Sequence, residues 1–138
     1  MKTTSNAAAA ESVILPWGVA KWLVTAHDRS SMSLGEVIVL PGQSHEWHNH
    51  DQSEEIVYVL SGTGEFTVGE GNRFPIAPGD AVRIPVGVFH DSHNLGWAPL
   101  HLLVMYNPAG PEIDGVAGPH HRAAASEPLV MHTSVLES

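Results

Sequence analysis

The strongest constraint on what this chain can fold into is where its glycines and prolines fall. Between Val13 and Pro108 they cut the apolar sequence into short runs rich in Val, Ile and Leu: VILPWGVAKWLVT (13–25), SMSLGEVIVLPG (31–42), EEIVYVLSG (54–62), GEFTVGEG (64–71), IAPGDAVRIPVG (76–87) and PLHLLVMYNP (99–108). Each run is long enough for a strand, and none sustains a helical period over ten residues. Turn signals recur roughly every eight to twelve residues, the rhythm of an antiparallel barrel or sandwich. Pro41–Gly42 and the Gly69–Glu70–Gly71–Asn72 stretch are the clearest turns.

Alternation within the runs gives each strand two faces. Glu55, Val57 and Val59 share one face, which sends Glu54 and Tyr58 to the other. Val82 and Ile84 read as core, with Arg83 alternating away. Trp17, Val19, Lys21 and Leu23 form one set, Trp22 and Val24 the opposite one. For residues 100–106 the pattern permits either His101, Leu103 and Met105 or Leu102, Val104 and Tyr106 to face inward.

With 138 residues, one domain is expected. Its ordered part is expected at 13–107, after a disordered leader over 1–12 and before a tail over 108–138 that packs on the barrel or on a partner subunit. There are no cysteines, which removes disulfides, thiolate metal sites and cysteine nucleophiles. A formal charge of −9, with six Lys and Arg, opposes binding to nucleic acid or to an anionic membrane surface. No apolar run approaches a bilayer span, and the N-terminus lacks the apolar region of a signal peptide. The expectation is a cytoplasmic protein.

Against this ordinary β background stands HEWHNHDQSEE, residues 45–55. In a strand His48 and His50 point the same way, so two imidazoles can hold one metal ion. A carboxylate, Glu54 or Glu55, and a further imidazole, His90, are available from neighbouring strands. His45 lies three residues before His48, so regular alternation puts it on the opposite face, as a rim histidine.

Two longer patterns surround these residues. Gly42, His48, His50, Glu55 and Gly62 fit G-x5-H-x-H-x4-E-x6-G; Gly79, Pro85, Gly87, His90 and Asn94 fit G-x5-P-x-G-x2-H-x3-N. Together they resemble the two sequence motifs of the cupin superfamily, over residues 42–94 strictly and the flanking strands loosely. The resemblance implies an all-β double-stranded β-helix, a jelly-roll barrel, in a single domain of the small monocupin type. It also implies that His48, His50, Glu55 and His90 are metal ligands, with Glu55 preferred over Glu54 because its spacing to Gly62 matches. Three imidazoles and a carboxylate suit one divalent Fe, Mn, Ni, Zn, Co or Cu ion, and six-coordination leaves two positions open.

The scaffold hosts many reactions, so the resemblance implies far less about chemistry. A metal-dependent enzyme acting on a small oxygenated metabolite is expected, with dioxygenase chemistry slightly ahead. A redox-neutral isomerase, epimerase, cyclase or lyase is the first alternative, and a non-catalytic small-molecule binding module the second. His101 is a candidate base beside the metal if its set faces inward. A homodimer is expected from the habits of the superfamily.

Overall fold

The computed structural model describes residues 2–113 and the backbone of 114, 122–123 and 131–132. The remainder of the 108–138 tail, where a barrel or partner contact was expected, lies outside the described residues. Strands form where the apolar runs lie: β1 (Ser12–Leu15), β2 (Gly18–Val24), β3 (Ser33–Val39), β4 (Ser44–Asn49), β5 (Glu54–Ser61), β6 (Gly64–Val68), β7 (Phe74–Ile76), β8 (Ala81–Ile84), β9 (His90–His93) and β10 (Leu100–Asn107). A single helical turn, α1 (Pro111–Asp114), and two short strands, β11 (Arg122–Ala123) and β12 (Met131–His132), complete the described elements.

All strand pairs are antiparallel, in two sheets: β12-β1-β2-β3-β10-β5-β8 and β11-β4-β9-β6-β7. The fold is the double-stranded β-helix expected of a jelly roll. Its core lies between the sheets: Val37 and Val39 from β3, Val57 and Val59 from β5, Phe66 from β6, Val82 and Ile84 from β8, and Leu100, Leu102 and Val104 from β10. The alternation expected for β5 and β8 is present. Tyr58 is exposed on the outer face, and Arg83 there forms an ion pair with Glu54 at 2.6 Å.

The choice left open for β10 is made by packing. Leu100, Leu102, Val104 and Tyr106 are buried, which turns His101, Leu103 and Met105 outward. Trp17 departs from its assigned set. It lies in the turn between β1 and β2, where strand alternation does not apply, and is buried at 4% exposure. The N-terminal residues pack on β2: the Ser5 hydroxyl donates to the Leu23 carbonyl and the Lys21 amine donates to the Ala7 carbonyl.

Asn94 closes the end of the barrel remote from His50 and Glu55. Fully buried, its amide donates to the Val39 and Ala98 carbonyls at 2.8 Å each, and its carbonyl accepts from Gly96 N–H at 3.0 Å. At that same end Gly62 has φ +82°, the left-handed region that a side chain disfavours, and the Pro99 backbone occupies the space a Cβ would need. No helix among the described residues is long and apolar enough to cross a membrane.

Candidate metal centre

His48, the penultimate residue of β4, is in register with His90, the first residue of β9. His50 follows the end of β4, and its backbone is held by the turn after β8: Gly87 N–H donates to the His50 carbonyl at 2.9 Å. Asn49 ties the same two segments, its amide donating to the Gly87 carbonyl and to Asp51, each at 3.0 Å. Glu55 projects from the second position of β5 onto the inner face. All four side chains are buried, and one ligand atom from each lies within 4.8 Å of the others. Glu54, the other carboxylate considered, points away to Arg83.

Hydrogen bonds dictate which ring nitrogens face the centre. Nδ1 of His48 meets the Glu46 carbonyl and Nδ1 of His90 meets the Val88 carbonyl at 2.9 Å. A carbonyl only accepts, so both Nδ1 atoms carry the proton and, in the neutral imidazole, Nε2 presents its lone pair inward. Glu55 Oε1 sits 3.0 Å from His90 Nε2 and 3.3 Å from His50 Nε2. His90 and Glu55 face each other there without the alignment of a hydrogen bond. Opposed lone pairs at that separation repel unless a cation or a proton lies between them, so the donor set fits a divalent transition metal.

The electrostatics agree. Burial raises the Glu55 carboxyl pKa, but the His90 and His50 imidazoles outweigh it and hold the group well below the usual carboxylate range. Burial lowers the His90 pKa, yet the Glu55 carboxylate reverses this and the net shift is upward from 6.5.

His45 does not follow the alternation expected of it. The β4–β9 register slips between His45 and His48, so a bulge absorbs one residue and both side chains reach the inner side. The His45 ring stacks on His48 at 3.9 Å and on Trp17 at 4.3 Å, continuing a column that backs one candidate ligand. A bulge of this kind leaves no mark in composition. His101 is not brought to the cluster. It stands on the outer face of β10, its Nε2 3.5 Å from Glu36, so it cannot serve as a base beside His48, His50, Glu55 and His90.

Tyr106 is the residue that sequence reasoning missed as a site component. Its ring stands edge-on to His50, with centroids 4.8 Å apart. Burial, then the charges of Glu55 and Glu112, push its phenol pKa well above 10. Choosing the second of the two alternation sets for β10 would have placed it at the centre.

Comparison with known proteins agrees with this arrangement. Residues 35–106 match the family of the cupin domain. An uncharacterized protein of Methanocaldococcus jannaschii is 39% identical over 71 residues, 51% of this chain and 56% of its own length. Gentisate 1,2-dioxygenase of a Ralstonia species is 28% identical over 93 residues, 62% of this chain and 26% of the enzyme. This chain thus spans about half of one relative and about a quarter of the other. Among solved structures, the polyketide cyclase RemF of Streptomyces resistomycificus superposes with a TM-score of 0.72 at 21% identity, over 91% of this chain and 87% of RemF.

Proposed function

This chain belongs to the cupin family, and from that premise we propose that it is an enzyme that holds one divalent transition-metal ion on His48, His50, Glu55 and His90 and acts on a small oxygenated organic molecule. The observation that carries this reading is the locked tautomer of His48 and His90, which turns their Nε2 lone pairs towards a buried carboxylate. A bound ion supplies there a Lewis acid for a substrate oxygen and, where the metal is redox-active, a place for dioxygen chemistry. The chain's part is to hold the ligand rings through backbone carbonyls, exclude water with the core beneath them, and keep Glu55 ionised.

Dioxygenase chemistry is the leading assignment, supported by the similarity to gentisate 1,2-dioxygenase. A redox-neutral isomerase or cyclase reaction is the second reading, favoured by Tyr106, a neutral phenol beside Glu55 that can pass a proton. Oxygen uptake measured against a panel of catechols and 1,3-diketones separates the two. Uptake that requires the loaded metal and disappears in His50→Ala is expected of the dioxygenase. Full turnover under strict anaerobiosis removes that assignment and leaves the redox-neutral one. A homodimer goes with this reading, supported by the exposed Tyr58 and Leu60 on the outer face of the seven-stranded sheet.

Metal affinity is expected to depend on pH with a definite sign. In the metal-free protein the Glu55 carboxylate keeps a proton on His90 to higher pH than a free imidazole would, and a metal ion must displace it. Affinity therefore rises with pH and levels off only above the ordinary imidazole value of 6.5. Calorimetric titration with zinc is expected to weaken steadily from about pH 8 to about pH 5. A flat profile across that range contradicts the ligand assignment.

A further inference from the structure

Beside the four candidate ligands lies a row of groups to which the metal reading gives no part. In the seven-stranded sheet Tyr106 is the register partner of Glu55 on one side and of Ser33 on the other, so the three side chains stand in line on the inner face. Ser33 is 1% exposed, and its hydroxyl has no hydrogen-bond partner among the described residues. The Tyr106 hydroxyl likewise forms no hydrogen bond among the described residues. A buried hydroxyl left unsatisfied, as in Ser33, is unusual because it is costly, and the Tyr106 hydroxyl stands next to it in the row.

The same wall is aromatic. The Tyr106 ring lies between His50 and Trp22, whose centroid is 5.6 Å away, and Trp22 in turn covers Gly35, where a Cβ would collide with the indole. Lys21 donates to the Ala7 carbonyl, Arg73 pairs with Glu65, and Arg83 pairs with Glu54, so these three cations are engaged away from the cluster. Arg122 is in register with Asn49, between His48 and His50.

We infer that the site takes a planar aromatic or enolic chelator, with Tyr106 donating a hydrogen bond to one of its oxygens and the Tyr106 and Trp22 rings forming the apolar wall beside it. The inference rests on the metal reading above. Ser33 supplies a second hydroxyl in the same row.

The test uses zinc-loaded protein and 4-nitrocatechol, whose visible absorption shifts on chelation, with oxalate as the dianionic competitor. Tyr106→Phe keeps the ring and removes only the donor. It is expected to weaken nitrocatechol binding roughly tenfold, while the affinities for zinc and for oxalate, each measured by calorimetry, stay as in the wild type. Ser33→Ala should give a smaller loss in the same direction. Nitrocatechol binding by Tyr106→Phe equal to that of the wild type overturns the inference, as does tighter binding of oxalate than of nitrocatechol by the wild type. If the wild-type protein fails to hold zinc, the metal reading falls by that measurement alone. The comparison of Tyr106→Phe with wild type is then made by calorimetry on zinc-free protein, where a difference in nitrocatechol binding supports the donor role and equality overturns it.

Discussion

Replacing His90 by alanine is expected to lower the affinity for a divalent transition metal by more than the roughly 10–100-fold that outer partners of metal ligands are worth. Dialysed protein should fall from about one ion per chain to nearly none, as the loss of a ligand exceeds the loss of a ligand's support. The geometry explains the size of the effect. His90 Nε2 is the group nearest Glu55, at 3.0 Å, and its Nδ1 is already committed to the Val88 carbonyl. No other ring can rotate into its place, because His45 is stacked between Trp17 and His48. His50→Ala should behave similarly. The metal-free His90→Ala protein should also lose stability, since a buried carboxylate is left with His50 as its remaining imidazole partner. Elemental analysis of both variants beside the wild type, each purified without a nickel column, decides the matter. Unchanged metal content in both would end the assignment.

Asn94→Ala is expected to cost about 1–3 kcal/mol of folding free energy. Alanine would strand the Val39 carbonyl in the buried interior and would leave the Ala98 carbonyl and the Gly96 N–H without their partner in a part-buried turn. Each buried orphan costs on the order of 1–3 kcal/mol. The effect on metal binding should be small, because Asn94 sits at the opposite end of the barrel from His50 and Glu55. A urea titration measures the first quantity and calorimetry with zinc the second. A midpoint within experimental error of the wild type would show that the three bonds do not contribute as described.

Most of the architecture was legible because strand parity is a local property. On β5 and β8 the inward residues could be assigned from alternation alone, and Glu55 could be separated from Glu54 by the same rule. Alternation has an arbitrary phase, however, and in β10 both phases are apolar. Only burial against β3 and β5 decides in favour of Tyr106 over His101. Trp17 and His45 were misplaced for a related reason. Parity holds inside an unbroken strand, and one of these residues sits in a turn while the other precedes a bulge. The cluster itself was readable because its members lie at spacings that β-strands and turns convert directly into proximity. Its supporting hydrogen bonds come from backbone carbonyls, which have no letter in the sequence.

The slip between His45 and His48 has a bearing on how this segment tolerates changes of length. One extra residue there lets two histidines on opposite parities reach the same side. Glu46 and Trp47 therefore set the spacing through their number, and Trp47 also stacks on Phe89 at 5.9 Å. In a library that varies both kind and count, aromatic replacements at Trp47 should be accepted before others. Removal of either should restore regular pleating and turn His45 or His48 outward, at an interval where the chain has no slack to give.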